Sequence, residues 1–167
     1  MLVRLRDGTQ LLVRHVRPSD KELIAKAWSV LSEESQRRRF LAPKPRLTTS
    51  DLRYLTEIDG VNHVALIALR ADNWDRVVAV GRFVRLLQDP ATAEVAVTVA
   101  DNMQHKGVGR QLSLLLADEA RELGIERFSA SILADNEPAL RLMRTMARRL
   151  EAHSENGVRD LVADLAA

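Results

Sequence analysis

From Gln10 to Arg17 apolar and polar residues mix as in a half-buried strand, until Pro18-Ser19-Asp20 interrupts the run and Leu23, Ile24, Ala27, Val30 and Leu31 take up helical spacing. A second, polar helical piece runs from Ser32 to about Phe40, and Pro43 and Pro45 then break the chain into a loop placed to act as a lid or substrate rim. Thr49-Ser50-Asp51 offers an N-cap ahead of Leu52, Leu55 and Ile58, and Asp59-Gly60 closes that short helix. Val61 to Arg70 and Val77 to Leu87 are rich in Val, Leu and Ile and read as a hairpin around Ala71-Asp72-Asn73-Trp74-Asp75, followed by a strand from Ala93 to Val99.

In the second half the period changes. Val108, Leu112, Leu115, Leu116, Ala120 and Leu123 fall on one helical face, and Gly124 ends that helix. Arg127 to Leu133 is strand-like, Asn136 and Pro138 open a helix with Ala139, Leu142, Met143, Met146 and Leu150 turned inward, and Asn156-Gly157 marks a last hairpin. Helices that alternate with strands after an antiparallel run predict an α/β (α+β) chain, its mixed, mostly antiparallel sheet of about seven strands covered on both faces. At 167 residues the chain is expected to form one domain, residues 1–167.

Composition narrows the classes. The content of 46% apolar and 29% charged residues is that of a packed globular chain. With no cysteine there is neither a disulfide nor a thiolate zinc site, and His15, His63, His105 and His153 lack ligand spacing, so no metal is expected. The opening Met1-Leu-Val-Arg-Leu-Arg-Asp-Gly has no long apolar core of a secretory signal, and no apolar run approaches the roughly 18 residues of a membrane span, which points to cytoplasmic residence away from membranes. A formal charge of +2 does not suggest nucleic acid as a partner; Arg37-Arg38-Arg39 and Arg144, Arg148 and Arg149 read as solvated helix faces. For assembly, monomer and homodimer both stand.

The chemistry-bearing stretch is Gln104-His105-Lys106-Gly107-Val108-Gly109-Arg110, between a strand and a helix. Two glycines let the backbone come close to a ligand, and the free N–H groups of a helix start, with the helix dipole behind them, suit phosphate oxygens. Lys106 and Arg110 add charge, so a pyrophosphate fits. Neither the nucleoside-triphosphatase loop nor the dinucleotide Gly-x-Gly-x-x-Gly is present.

Gln104 to Gly109 resembles the Gln/Arg-x-x-Gly-x-Gly/Ala motif of the GNAT (Gcn5-related N-acetyltransferase) superfamily, and Asn136-Glu137-Pro138-Ala139 resembles the Asn-x-x-Ala opening of its later helix. Leu5-Arg-Asp-Gly-Thr9, Arg17-Pro18-Ser19-Asp20 and Leu31-Ser-Glu-Glu-Ser35 narrow the likeness to bacterial Pat-type protein lysine acetyltransferases. The resemblance implies the GNAT fold and transfer of an acetyl group from acetyl-CoA to a primary amine. Without cysteine that transfer must be direct. It favours protein lysine over a small-molecule amine as acceptor, with an inactive acyl-CoA-binding module as the alternative. It also implies cofactor contacts at Val97 and Val99 through the backbone, at Gln104, His105, Lys106, Gly107, Val108, Gly109 and Arg110 in the loop, and at Asn136 and Ala139.

An attacking lysine, with a solution pKa of about 10.4, needs a proton acceptor near neutral pH. Glu94, at the start of the cofactor strand, resembles the glutamate several GNAT protein acetyltransferases place there; the competing reading is a surface residue paired with Arg82 or Arg85. Glu33, Glu34, Glu57 and Asp59 either line the acceptor entrance or are solvated helix residues. Many family members carry a tyrosine seven residues after the motif asparagine as acid for the leaving thiolate; Met143 stands there, and Tyr54 reads as a packing residue. Asn136 is at once an N-cap candidate, and Arg148-Arg149-Leu150-Glu151 replaces the Gly-Phe usual in the family.

Overall fold

The computed structural model describes residues 1–165, in the order β1 (Leu2–Arg4), β2 (Gln10–His15), α1 (Lys21–Ser29), α2 (Glu33–Phe40), α3 (Thr49–Thr56), β3 (His63–Arg70), β4 (Asn73–Arg85), β5 (Thr92–Val99), α4 (Val108–Glu122), β6 (Arg127–Leu133), α5 (Glu137–Met146), β7 (Ala147–Glu155) and β8 (Val158–Leu165). The strands form one sheet in the order β1-β2-β3-β4-β5-β6-β8-β7. Every pairing is antiparallel except β5 with β6, the two strands joined through α4. This is the expected mixed sheet with eight strands in place of seven. The addition is β1, three residues held by pairing Leu2–Arg4 against Leu12–Gln10, too short to show a period of its own.

Several other boundaries shift by a few residues, and two of the shifts change the picture. β4 begins at Asn73, so the turn narrows to Ala71 and Asp72, and irregular register at Ala68 to Arg70 absorbs the change. The last helix ends at Met146, and Ala147 is already extended, which moves Leu150 out of the helix and into β7. Ala147 to Ala152 consists mainly of good helix formers; pairing with β8 across the hairpin, where Asn156 and Gly157 both take positive φ (51° and 77°), overrides that preference.

Strand alternation sorts the core into two layers. Phe83 and Ala79 of β4 turn toward α4 and α5, packing with Leu112, Leu116, Leu140 and Met143; a Cβ on Gly81 would lie 2.7 Å from the end of Leu116 and 3.1 Å from that of Leu112, so a larger residue there has to push these side chains aside. On the other face Ala65, Ile67 and Leu69 of β3 meet Ile24 of α1 and Leu55 of α3. Ahead of α1, Asp20 is buried and accepts both nitrogens of Arg14 (2.8 and 2.7 Å) and the Arg17 N–H (2.7 Å). Burial opposes its charge, but the hydrogen bonds from Arg14 and the Arg17 amide hold its pKa below the usual carboxylate value. No helix among the described residues is long and apolar enough to cross a membrane.

One break in the sheet positions everything that follows. β5 and β6 pair only at Thr92, Ala93 and Glu94, against Arg127, Phe128 and Ser129. Beyond that point β5 stays on β4 as far as Val99, while β6 stays on β8 as far as Leu133. The two strands fork.

Candidate functional site

The fork opens a cleft of about 420 Å³ whose walls are Val95 to Val99 on one side, Ala130, Ser131 and Ile132 on the other, and α4 and α5 across the end. Its backbone chemistry follows from the phase of the β4–β5 ladder. The Ala100 N–H donates to Val78 O (2.8 Å) and Leu86 N–H to Thr92 O (2.9 Å), so even-numbered residues of β5 bond to β4. Odd-numbered residues, Val95, Val97 and Val99, therefore turn their N–H and C=O groups toward the edge that β6 has left. Val99 O accepts from Gln104 Nε2 (3.2 Å), as that phase requires. The splay that the sequence could not reveal thus presents Val97 and Val99 main-chain groups to the cleft.

The glycine loop closes one end. Gly107, at φ +85°, is the N-cap of α4, and a Cβ there would meet nothing within 4 Å. His105 also takes positive φ (62°), a conformation costly for a side-chain-bearing residue and therefore held by its surroundings. The intrahelical ladder starts only with Gln111 N–H to Gly107 O (3.1 Å), leaving the Val108, Gly109 and Arg110 amides free of helical partners. Gln104, His105, Gly107, Gly109 and Arg110 all line the cleft. Gly109 differs from Gly107 in its surroundings: a Cβ would sit 3.2 Å from Leu142 and 3.4 Å from Val99, so a larger residue there strains the contact between α4, α5 and β5.

Two loop residues are placed differently from the rest. Val108 is buried in the core, so only its backbone is available, and Lys106 turns toward the β1–β2 loop, with Nζ 3.7 Å from Asp7. Asn136 is nearly buried and accepts the Ala139 N–H (3.2 Å) as N-cap of α5, while both residues line the cleft. Met143 is buried and brings no hydroxyl to the wall.

Glu94 is exposed and stands at the vertex of the fork, the last β5 residue paired with β6. Its side chain belongs to the α1–α3 face, on the row of Val84 and Ser129. Neither proposed arginine partner takes it: Arg85 donates to Pro90 O and Leu123 O (2.8 Å for the latter), and Arg82 to Leu55 O. Among the described residues Glu94 makes no ion pair.

The other acidic candidates are engaged elsewhere. Asp59 accepts the Val61, Asn62 and His63 N–H groups, which hold its pKa down to about 2. Glu57 lies 3.6 Å from Lys21 and Glu34 2.9 Å from Arg38, while Glu33 is exposed on α2. The proline loop is tied down, since the Lys44 carbonyl accepts the Trp28 indole N–H (2.8 Å) and the Lys44 Nζ pairs with Asp51 (2.9 Å).

Several cleft residues were not singled out from the sequence. Ser113 is fully buried in α4, lines the cleft, and its hydroxyl has no hydrogen-bond partner among the described residues; a serine on an otherwise apolar helix stripe was the available signal. Arg38 and Arg39, read from the sequence as part of a solvated helix face, instead turn to the cleft and with Arg141 join Arg110 on its lining. Asp101 ties the loop to α2, accepting from Ser32 N–H, Ser32 Oγ and Ser35 Oγ at 2.7–2.8 Å. Among the described residues no cluster of His, Cys, Asp or Glu is arranged to hold a metal ion.

A cleft with free amides at one end, four guanidinium groups on its lining and an orphan hydroxyl in its wall suits a long ligand that carries phosphates and amides. The model of the acetyltransferase (GNAT) family matches residues 25–147. The acetyltransferase Pat of Mycolicibacterium smegmatis is 34% identical over 107 residues, which is 64% of this chain and 32% of that protein, so the chain spans about a third of this relative's length. The crystal structure of the GNAT domain of S. lividans PAT superposes with a TM-score of 0.88 at 34% identity, covering 99% of this chain and 96% of that one. The yncA protein of Salmonella typhimurium, solved with its cofactor acetyl-CoA, has the same fold at 19% identity, with a TM-score of 0.70 over 93% of this chain and 94% of that one. The chain belongs to the acetyltransferase (GNAT) family of acetyl-CoA-dependent N-acyltransferases, and its GNAT fold is that of a Pat-type domain.

Proposed function

We propose that the chain acts as one cytoplasmic acetyltransferase domain that moves an acetyl group from acetyl-CoA to a primary amine by direct attack, with protein lysine the preferred acceptor. The observation that carries the reading is the fork between β5 and β6, which brings unpaired β5 amides and a helix N-terminus into one cleft and leaves an unpaired carboxylate, Glu94, at its vertex.

Acetyl-CoA supplies a thioester carbonyl that an amine can attack. In this reading the Val108, Gly109 and Arg110 amides and the Arg110 guanidinium hold its pyrophosphate, with further charge from Arg38 and Arg141. Val97 and Val99 hydrogen-bond its pantetheine arm through their backbone, and Asn136, Ala139 and Ser113 complete the wall, the last offering a donor that otherwise stays unsatisfied. An odd-numbered β5 amide near the vertex polarises the carbonyl, since a donor fixed in advance costs no reorganisation when charge develops on oxygen. Glu94 takes the amine proton. It lies three residues, about 10 Å of strand, from Val97, a span bridged by water. The new C–N bond then replaces the C–S bond, and the thiolate leaves; its thiol pKa, near 8.5 by analogy with cysteine, makes it a competent leaving group without the hydroxyl that Met143 lacks.

The lysine preference rests on the likeness to Pat-type proteins, in sequence over 107 residues and in fold over 99% of the chain. An acceptor screen tests it. Lysine-bearing proteins should be acetylated faster than polyamines, free amino acids or aminoglycosides; reaction with the small amines alone would contradict the assignment, and binding without turnover on any acceptor would leave an acyl-CoA-binding module.

A further inference from the structure

On the α1–α3 face of the sheet lies a second cavity, of about 60 Å³, which meets the cleft at Arg39 and Thr98, residues that line both. Most of its wall is apolar, including Trp28, Leu31, Phe40 and Val80. Into this apolar setting β4 delivers Arg82, only 4% exposed. Its Nη1 donates to the Leu55 carbonyl (3.1 Å) and lies 3.0 Å from His63 Nε2.

Neither contact brings negative charge. Burial, and then the Arg82 charge, push the His63 pKa down to about 4, so the ring is neutral near neutral pH and its Nε2 accepts a hydrogen bond from the guanidinium N–H. Arg39 makes no hydrogen bond among the described residues; its guanidinium lies 4.7 Å from the Phe40 ring centroid. Tyr54 and Glu94 favour its charge, but among the described residues no carboxylate lies within ion-pair distance of Arg39 or Arg82. Burial lowers the pKa of both arginines, and the Arg39 charge helps to bring Arg82 down to about 9.

A desolvated guanidinium at Arg82, within reach of the charge of the half-buried Arg39, is an expensive arrangement, since a buried charge without a counter-charge costs more than an apolar residue of the same size. Stability alone selects against it. A planar fork of donors, by contrast, matches a carboxylate, and the apolar walls suit the methylene groups that would carry one. Resting on the reading that transfer takes place in the adjoining cleft, we infer that Arg39 and Arg82 form a recognition site for a carboxylate carried by one of the two reactants. The carboxylate belongs either to the amine acceptor, beside the attacking nitrogen, or to the far end of the acyl group.

Two pairs of probes separate these sources. In the acyl arm, succinyl-CoA is compared with butyryl-CoA on one lysine peptide; in the acceptor arm, acetyl-CoA is offered peptides with aspartate or asparagine beside the lysine. One arm should show kcat/KM for the carboxylate probe at least about tenfold above its neutral counterpart, about 1.4 kcal/mol of discrimination, and the ratio should fall toward one in Arg39→Met and Arg82→Met. The arm that shows it names the source. Binding gives a second readout that needs no turnover: sodium succinate, against sodium chloride at equal ionic strength, should raise the thermal midpoint of the wild type and not of either variant. The Arg82→Met midpoint should be equal to or above the wild type, because methionine replaces an unpaired buried charge. No carboxylate preference in either arm, a preference undiminished in both variants, or an equal succinate response in all three proteins would overturn the site. A chain without any turnover that still shows the succinate difference keeps the site and refutes the transferase reading instead.

Discussion

Replacing Glu94 with glutamine should lower kcat for amine acetylation by about 10²- to 10⁴-fold near neutral pH while leaving the affinity for acetyl-CoA close to that of the wild type. The asymmetry follows from placement. Glu94 stands at the vertex of the fork on the α1–α3 face of the sheet, whereas the glycine loop and the odd-numbered β5 amides line the cleft itself. Glutamine keeps the shape and removes the proton acceptor. The defect should narrow as the pH approaches about 10, where a lysine amine begins to lose its proton without help. Steady-state rates across that pH range, with calorimetric acetyl-CoA affinity alongside, check both halves. Equal rates and identical pH profiles would remove Glu94 as the base and return it to the role of a solvated strand residue.

A large effect on stability is expected far from the chemistry. Asp20→Ala leaves Arg14 without its bidentate partner and the Arg17 amide without an acceptor, next to the start of α1. Removing one member of a buried pair typically costs about 3–5 kcal/mol; the Arg14 side chain keeps 21% exposure, which moves the expectation to about 3 kcal/mol, or roughly 6–12 °C in Tm for a chain of this size. The pH dependence has a definite sign. Because the folded-state pKa of Asp20 is depressed, its contribution is fully present above the unfolded value near 4 and is lost as the pH falls through the lower folded value. Thermal unfolding of wild type and variant from pH 7 to pH 2 should therefore converge at the acid end. A gap below about 1 kcal/mol at pH 7 would mean that the pair contributes no more than a surface ion pair.

The parts of the fold legible in the sequence are those written in local periodicity. α4 shows its apolar stripe and its closing Gly124, β6 is bounded as expected at Arg127 and Leu133, and the terminal hairpin carries Asn156-Gly157 at its turn. β1 and the start of β7 were not legible, because both exist through pairing with a neighbour and not through a pattern of their own. The site divides the same way. Gly107 and the free amides of α4 form a local device, visible as a motif between a strand and a helix. The cleft itself arises where two strands distant in sequence stop pairing, so Ser113, Arg38, Arg39 and Arg141, which reach it from α2, α4 and α5, gave no joint signal. Asn136 is the intermediate case. Its cap to Ala139 is local and its place on the cleft wall is tertiary.

The central claim is that the forked cleft with its glycine loop binds the cofactor, and calorimetric titration of acetyl-CoA, CoA and ATP into the wild type and Gly107→Val tests it most directly. Gly107 holds φ at +85°, which valine adopts only at a cost of about 1–2 kcal/mol, so the substitution should pull the loop amides out of line and weaken binding about tenfold or more. The account predicts saturable binding of acetyl-CoA and CoA to the wild type, none of ATP, and that loss in a variant that remains folded. Absence of acetyl-CoA binding by the folded wild type, or affinity unchanged in Gly107→Val, would contradict it.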